Sequence, residues 1–387
     1  MRRNGSPGQR GSVRTVLTGL CLLAGIAFVW HGVDAYRERK ALEAEIAARS
    51  QDIDQMIHMD SSGDEASPEA GNQEEESNPT AESLLARADS GDFPDFGEAT
   101  IAWQGRTWRR SRNVKAILCM GVDRSDEMTE YRSLTVEGNA GQADGIFLLA
   151  WDSARGQVRL LMIPRDTMTE ITALNDDGSL RGREVDHLTL AYAYGDGREM
   201  SCENVTESVS HLLLNLPVDS YLAVDIQVIG TLNDAVGGVT VTVPTAGMEQ
   251  ADPSFIQGEI ITLHGSQAER FVRYRDIHTA NSALTRMSQH RQFIQGFFDA
   301  VREQAREDSG TVAALFEQIQ DYMVTDMRKE EYLKTAMDVL MGEGIPQDGY
   351  YTLPGMGLTT DHYDEYYVDT EKMVPVLLEL FFYSTEE

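Results

Sequence analysis

The sequence predicts an α/β domain that stands outside a membrane, behind a single helical anchor. Three observations predict it. Residues 16–33 form an uncharged apolar run, residues 60–100 are acidic and low in complexity, and strand-like and helix-like patterns mix from about residue 102 onward. Strands interspersed with helices are typical of domains in which helices pack against a sheet. The 387 residues are ample for a large hydrophobic core.

The apolar run reads VLTGLCLLAGIAFVWHGV and contains no Asp, Glu, Lys or Arg. A helix of that length spans about 27 Å, close to the thickness of a bilayer hydrocarbon core. The segment before it contains four arginines and no acid: Arg2, Arg3, Arg10 and Arg14. The positive-inside rule therefore predicts a cytoplasmic basic tail at residues 1–15, a transmembrane helix at 16–33 and an extracytoplasmic remainder.

Two other interpretations of the run are weaker. A cleaved signal peptide needs a small-x-small site, but the segment that follows the run reads DAYRERK. A lipoprotein signal at Cys21 would need a small residue at the position before it, where Leu20 stands. A retained single-pass anchor is the favoured interpretation.

Residues 34–101 are predicted to form an extracytoplasmic helix followed by an acidic linker. Residues 35–58 are rich in Ala, Glu and Arg, which favours a polar helix. Between residues 51 and 100 stand fourteen acids and one base, Arg87. Such a stretch repels itself and cannot bury a core, so we expect a disordered stalk.

The charge and the cysteines exclude some functions. A formal net charge of −30 argues against nucleic acid as a partner, because its phosphates would be repelled. The three cysteines form neither a CxxC nor a Cys/His pattern that would bind a metal. A disulfide between Cys119 and Cys202 stays open, although a chain of this length does not require one.

The predicted elements follow from local patterns. Apolar or alternating runs predict strands at 115–122, 145–151, 157–163, 221–226, 238–243 and 349–353. Helical periodicity predicts helices at 201–214, from about 266, and from 283 to about 304. The segment DSARG between the second and third strands is typical of a hairpin turn.

Acids stand at the ends of two predicted strands. Asp123 closes the first strand and is followed by Arg124, and Asp144 opens the second strand. Each alone is unremarkable, and a turn acid that caps the next segment is the simpler interpretation. Two carboxylates at neighbouring strand ends can nevertheless share a hard cation such as Mg²⁺, which prefers oxygen ligands.

Arginines form the other candidate set. Arg165 and Asp166 follow the third strand, either as a surface ion pair of little energetic weight or as a guanidinium aimed at phosphate. In the segment FVRYRD, Arg273 and Arg275 would share one face if the backbone were extended, and could then embrace a pyrophosphate.

The long helix carries two more candidates on its apolar face. His290 lies among the periodic residues of that face, and a hydrogen-bonded core histidine is the ordinary interpretation. Arg286 lies one turn earlier. A buried arginine needs an anion, so it is a candidate anion ligand.

In this order and spacing, these segments resemble the LytR-CpsA-Psr family of bacterial cell-wall enzymes. The matching segments are ILCMGVDRSD at 117–126, ADGIFLLAWDSARGQVRLLMIPRDT at 143–167, HLTLAYAYGDG at 187–197, VDSYLAVDIQVIGTLNDAVGGVTVTVP at 218–244, LHGSQAERFVRYRD at 263–276 and RMSQHRQFI at 286–294. The resemblance implies a central mixed β-sheet flanked by helices, with a catalytic domain at residues 102–304. Residues 305–387 are predicted to be a C-terminal helical extension packed on that domain.

The resemblance also implies an activity. Family members are phosphotransferases that move a glycopolymer, such as teichoic acid or capsule, from undecaprenyl pyrophosphate onto peptidoglycan through a phosphodiester. Four arginines correspond to a clamp that binds the pyrophosphate: Arg165, Arg273, Arg275 and Arg286. Asp166 corresponds to the acid beside this arginine clamp, and Asp123 and Asp144 correspond to carboxylates near Mg²⁺. Arg124 stands where the family often has Arg or Ser.

The predicted roles are therefore catalytic, substrate-binding and metal-binding. The catalytic set is Asp123, Arg165, Asp166 and Arg286; the substrate-binding set is Arg124, Arg273, Arg275 and His290; the metal set is Asp123 and Asp144. Either Asp123 or Asp166 could take the proton of the attacking sugar hydroxyl.

The sequence departs from the family pattern at two places. Gly145 stands where a Thr is usual, and Gln289-His290 where Arg-Gln is usual. These departures keep a second hypothesis open, a non-catalytic module that binds polyprenyl phosphate or cell wall. A membrane-bound transcription regulator is disfavoured, because a tail of about fifteen residues is too short for a DNA-binding domain.

Overall fold

The computed structural model describes residues 92–123, 140–174, 179–274, 282–308, 310–360 and 364–385. The predicted basic tail, transmembrane helix, polar helix and most of the acidic stalk lie outside these residues. Within the described part of the chain, no helix combines the length and apolar character needed to cross a membrane.

The described residues form fifteen strands and eight α-helices. The strands are β1 Thr100–Trp103, β2 Arg106–Arg110, β3 Val114–Asp123, β4 Gln142–Asp152, β5 Gln157–Ile163, β6 Met168–Leu174, β7 Leu180–His187, β8 Ser220–Asp225, β9 Val239–Thr242, β10 Ile260–Leu263, β11 Met323–Thr325, β12 Tyr350–Thr352, β13 Gly355–Thr359, β14 Asp364–Val368 and β15 Phe382–Ser384. The helices are α1 Leu190–Ala193, α2 Glu199–Leu212, α3 Val228–Ala235, α4 Ser266–Arg273, α5 Ser282–Glu307, α6 Thr311–Ile319, α7 Lys329–Met341 and α8 Thr370–Phe381.

A six-stranded sheet forms the centre, in the order β11-β8-β3-β4-β5-β12. β3 is parallel to β8 and β5 is parallel to β12, whereas the other neighbours are antiparallel. The sheet is therefore mixed, and the predicted α/β fold with a central mixed sheet flanked by helices is confirmed. The six strands predicted from the sequence correspond to β3, β4, β5, β8, β9 and β12.

Both faces of the sheet are buried, which explains the nearly continuous apolar runs of its strands. Side chains alternate along β3: Ile117 and Cys119 enter one core, while Leu118 and Met120 enter the other. The first core is closed by helices α3 to α7 together with β9 and β10. The second is closed by α1, α2 and α8.

The two cysteines in the described residues are buried and free. Cys119 lies in the first core and Cys202, on α2, lies in the second. The open question of a disulfide is thereby answered in the negative, because the sheet separates the two thiols. Burial raises the pKa of the Cys119 thiol, so this group is inert rather than a reactive thiolate.

Described segments on both sides of the predicted catalytic domain enter the fold more deeply than the predicted boundaries imply. Phe96, placed by the sequence in the linker, is fully buried and packs edge-on against Phe382, with ring centroids 5.3 Å apart. The segment after residue 304, predicted as a helical extension, supplies β11 and β12 to the central sheet. β12 corresponds to the strand predicted at 349–353, whereas β11, with three residues, carries too little periodicity to be recognised from sequence alone.

Candidate active site

Asp144 lies at an irregularity of the central sheet. Gly121 of β3 faces Gly145 of β4, and Val122 faces Ala143, so Asp144 is an extra residue between them. Such a β-bulge re-aims the side chain it carries and is frequent beside active sites. The bulge turns the Asp144 carboxylate toward Arg165, which follows β5 on the neighbouring strand.

Arg165 joins two carboxylates. Its Nη1 donates to Asp144 Oδ1 at 2.5 Å and its Nε donates to Asp166 Oδ1 at 3.1 Å. The Arg165 side chain is 12% exposed, Asp144 0% and Asp166 9%. Burial alone would lower the pKa of Arg165, but the charges of the two carboxylates outweigh it and raise that pKa. The guanidinium is therefore a fixed cation in a largely dry site.

Backbone and hydroxyl contacts hold this cluster. The Thr189 amide donates to the Arg165 carbonyl at 3.1 Å, and its hydroxyl donates to Asp144 Oδ1 at 3.4 Å. The Thr167 hydroxyl donates to the Pro164 carbonyl at 2.6 Å, closing the turn that presents Arg165. The segment after β7 thus contacts both the backbone of Arg165 and its carboxylate partner Asp144.

A second arginine–aspartate pair lies at the end of β3. Arg273 Nη2 donates to Asp123 Oδ1 at 3.2 Å, and Arg273 Nη1 lies 3.1 Å from Glu269 Oε1. The extended backbone on which a shared face of Arg273 and Arg275 depends is not found at Arg273, because this residue ends helix α4. Its guanidinium reaches Asp123 from a helix end rather than from a strand face.

A narrow pocket lies between the sheet and α5, on the first core. Its lining comprises Asp144, Gly145, Ile146, Phe147, Met162, Ile163, Pro164, Arg165, Met287 and His290. The polar groups stand together beside an otherwise apolar wall. The cavity itself is about 20 Å³, enough for about one water molecule.

Gln289 and His290 on α5, where the family usually has Arg-Gln, lie in different surroundings. His290 lines the pocket, with its ring centroid 6.2 Å from that of Phe147. Gln289 is 1% exposed, and its Nε2 lies 3.7 Å from Met248 Sδ. A buried arginine at position 289 would need a counter-ion there, whereas an amide needs only hydrogen bonds.

The remaining predicted site residues are not placed by the structure. Arg124 and Arg275 lie outside the described residues. Arg286 lies on the first turns of α5, but its side chain is outside the description. The structure therefore brings together Asp144, Arg165, Asp166 and His290, and it places Asp123, with Arg273 of helix α4, at the end of the adjoining strand β3.

The carboxylates provide a limited test of the expected Mg²⁺. No group of three or more His, Cys, Asp or Glu among the described residues could hold a metal ion. Mg²⁺ commonly uses one or two carboxylates, completing its shell with water and substrate phosphates. Asp123 and Asp144, on neighbouring strands at the same sheet end, fit that kind of site.

Sequence reasoning assigned no role to two residues that the structure places at this cluster, Thr189 and His187. His187 Nδ1 lies 3.0 Å from Asp186 Oδ1 and its Nε2 lies 3.1 Å from the Asp364 carbonyl oxygen. Both residues stand at the start of the segment HLTLAYAYGDG, which was matched as a pattern. A histidine and a threonine there carry no distinctive spacing, so only the contacts reveal them.

Characterised proteins resemble this chain in sequence. The polyisoprenyl-teichoic acid–peptidoglycan teichoic acid transferase TagU of Bacillus licheniformis is 27% identical over 248 residues, covering 61% of this chain and 71% of the relative. The TagU of Oceanobacillus iheyensis is 32% identical over 209 residues, covering 53% of this chain and 56% of the relative. The chain thus spans between about half and seven-tenths of these relatives.

Solved structures share the fold. A protein from Streptococcus agalactiae superposes with a TM-score of 0.54 at 22% identity, covering 69% of this chain and 86% of that one. A structure of TagT bound to LI-WTA superposes with a TM-score of 0.51 at 18% identity, covering 70% and 90%.

The family assignment rests on a longer match. The model of the LytR_cpsA_psr family matches residues 72–380, most of the chain and all of the central sheet. The matched range contains the arginine–carboxylate cluster and the strands after residue 304 alike. The chain therefore belongs to the LytR-CpsA-Psr family.

Proposed function

We propose that the chain is a membrane-anchored, extracytoplasmic phosphotransferase that moves a glycopolymer from undecaprenyl pyrophosphate onto peptidoglycan through a phosphodiester. The coarser statement, a transferase of this family acting in cell-wall glycopolymer attachment, agrees with the family match and with the named relatives. The observation that carries the finer proposal is the Arg165–Asp144–Asp166 cluster beside the narrow, largely apolar pocket between the sheet and α5.

The cluster suits phosphoryl transfer, which needs positioning and charge neutralisation more than covalent help. Arg165 and Arg273 each present a guanidinium that is already oriented by a carboxylate. Guanidinium forks bind phosphate oxygens in a fixed geometry and keep their charge at every relevant pH. We expect them to offset the charge that moves onto the bridging oxygen of the pyrophosphate.

The reaction exchanges one P–O bond for another. A sugar hydroxyl of peptidoglycan attacks the phosphorus that carries the polymer, and the bond from that phosphorus to the bridging oxygen breaks. Undecaprenyl phosphate leaves, and the hydroxyl proton passes to a carboxylate. Asp123 and Asp166 are both candidates for that base, and each is oriented by a hydrogen bond that it accepts from an arginine.

Mg²⁺, held by Asp123 and Asp144 together with substrate phosphates, would add charge neutralisation at the pyrophosphate. The proposal expects chelation by EDTA to lower transfer strongly and added Mg²⁺ to restore it. Each of the two carboxylates also has an arginine partner, so we expect folding to be retained without the metal.

The lipid part of the donor needs more space than the pocket between the sheet and α5 provides. A cavity of about 20 Å³ cannot hold a polyprenyl chain. We therefore expect α5 to move away from β4 and β5 when the lipid donor binds, so that Phe147 and Met287 line a wider channel. The apolar lining is the support for a lipid there, because a polar interior would disfavour it.

The decisive experiment measures transfer by the purified full chain with Mg²⁺, a lipid-linked glycopolymer and peptidoglycan fragments. Arg165→Lys keeps the charge but loses the fork between two carboxylates, and should lower kcat by about a hundredfold or more. Arg109→Ala, an exposed arginine of β2, is the matched control and should leave the rate unchanged.

Transfer at the unaltered rate in Arg165→Lys would contradict the proposed site. Saturable binding of the lipid-linked donor with no turnover by the unmodified chain would instead favour the second hypothesis, a binding module without catalysis. Binding of the lipid-linked donor that does not depend on Mg²⁺ would also favour the binding module.

A further inference from the structure

His187 stands behind the Arg165 cluster, at the last residue of β7. It pairs across the hairpin with Met168, two residues after Asp166. Its side chain is 14% exposed, so water has little access to the ring. Both of its ring nitrogens have partners within hydrogen-bonding distance, and the nature of those partners determines its charge.

The two partners are acceptors. Nδ1 lies 3.0 Å from a carboxylate oxygen of Asp186, and Nε2 lies 3.1 Å from the backbone carbonyl oxygen of Asp364. A neutral imidazole carries one N–H and can donate to only one of them. The doubly protonated ring donates to both, so the geometry favours imidazolium.

The charges that face the ring favour the same form. Asp186 stands on its own strand, Asp166 with its partner Arg165 stands in the segment before β6, and Asp364 begins β14. Burial alone would lower the pKa of His187, but the hydrogen bond to Asp186 and the charge of Asp166 outweigh it and raise that pKa. Burial likewise opposes ionisation of Asp186, and the bonds from His187 overcome it, so the pKa of Asp186 is lowered.

The charge of His187 bears on Arg165. Arg165 is the partner of two buried carboxylates, Asp144 and Asp166, so a single guanidinium serves two negative charges. The charge of Asp166 acts on His187 as well, so a cation at His187 would offset part of that negative charge. The Tyr366 amide also donates to the Asp166 carbonyl at 2.8 Å, which ties β14 to both residues.

We propose that His187 is a positioning residue, held as an imidazolium, that balances Asp166 and so leaves the Arg165 guanidinium available to the donor's phosphate groups. The inference deepens the proposed function and rests on it for its catalytic part. Its charge state, however, is a property of the folded chain and is testable without substrate.

The first measurement is an NMR titration of ¹⁵N-histidine in the full chain, with the His187 signals assigned by their loss in His187→Gln. We expect both ring nitrogens to remain protonated at neutral pH and to titrate above the ordinary histidine range. A neutral ring at pH 7 would overturn the inference whatever the enzyme does.

The second measurement is the pH profile of transfer. The unmodified enzyme should lose kcat as pH rises through the His187 titration, because the cation disappears. His187→Gln keeps a donor but no charge; its kcat should be lower by about tenfold at neutral pH and lack that limb. His187→Lys should recover part of the rate, since it restores a cation.

Controls separate the explanations. His211→Gln, at an exposed position on the last turn of α2, should match the unmodified enzyme in rate and profile. An unchanged kcat and pH limb in His187→Gln would overturn the positioning role. Absence of transfer by the unmodified enzyme would count against the proposed function alone, because the titration still decides the charge of His187.

Discussion

At the residue scale, the candidate site depends on charged side chains that are buried together. Arg165 and Asp144 sit in a region where solvent cannot screen them, so each depends on the other. The surface of the same domain carries arginine–carboxylate pairs of the opposite kind. Arg183, which contacts Glu170 and Glu207, is half exposed and largely screened.

Replacing Arg165 should therefore destabilise the fold as well as the chemistry. Arg165→Met leaves the Asp144 carboxylate buried without its guanidinium, and we expect the free energy of unfolding to fall by about 3–5 kcal/mol. The double variant Arg165→Met/Asp144→Asn should lose less than the sum of the single losses. Urea unfolding measures all three, and Arg183→Met is the control expected to leave the midpoint nearly unchanged. Additive losses would show that the pair is not coupled.

Asp252 offers a pH dependence with a definite sign. Its burial opposes ionisation, but hydrogen bonds from Ser254 and Arg270 outweigh burial and lower its pKa to about 2. The unfolded value is about 3.9, so this group stabilises the fold above pH ~4 and that contribution is lost as pH falls through about 2.

A carboxyl NMR titration should show Asp252 titrating near that low value, and Arg270→Gln should move its pKa upward. Arg306→Gln, an exposed arginine on α5, should leave it unchanged. An ordinary pKa for Asp252 in the unmodified chain would contradict the expected bonds.

At the element scale, the position of α5 sets the width of the pocket between this helix and the sheet. The helix lies against β9, and Gly296 marks its closest approach: a Cβ there would lie 2.4 Å from the Thr240 carbonyl oxygen. A glycine inside a helix costs stability through backbone entropy, so its presence here is explained by the contact. Met287 and His290, earlier on the same helix, line the pocket.

Gly296→Ala should push α5 away from β9 and lower the free energy of unfolding by about 1–3 kcal/mol, despite the better helix propensity of alanine. Asp299→Ala, on the exposed side of the same helix, gains propensity without a clash and serves as control. Thermal or urea unfolding compares the two. Equal stability of both variants would show that α5 does not press on β9.

At the scale of the whole molecule, the chain after residue 304 completes the same sheet and the same cores. β11 and β12 close the two edges of the central sheet. Helix α7 buries Tyr332, Leu333 and Leu340 in the core that also holds α5. The C-terminal part is therefore bound to the site through shared packing, which predicts one cooperative unfolding transition.

Two neighbours on α7 test this. Leu340 is 1% exposed and Met341 53%, so Leu340→Ala should lower the free energy of unfolding by about 2–5 kcal/mol, whereas Met341→Ala should change it little. Fluorescence of the tryptophans, including Trp151 on β4 in the same core, should follow far-UV circular dichroism in a single transition. A separate early transition in Leu340→Ala would show that the C-terminal part unfolds independently.

The agreement between sequence and structure follows the strength of the local signal. β3, β4, β5 and α5 are long, and their apolar patterns reveal both type and position. β11 has only three residues, and Phe96 stands among acids, so nothing local marks either of them as core. The backbone at Arg273 stayed open for a similar reason: a segment rich in Arg and Tyr does not show where helix α4 ends.

The sequence by itself determined the α/β class, the family, and the identity of the acids and arginines that gather at the site, because these depend on residue type and order along the chain. Only the tertiary structure decided that a β-bulge aims Asp144 at Arg165, that Thr189 and His187 complete the cluster, and that α5 nearly closes the pocket. These facts arise from contacts between residues distant in sequence. Their energies depend on burial, and burial exists only once the sheet and its helices have packed together.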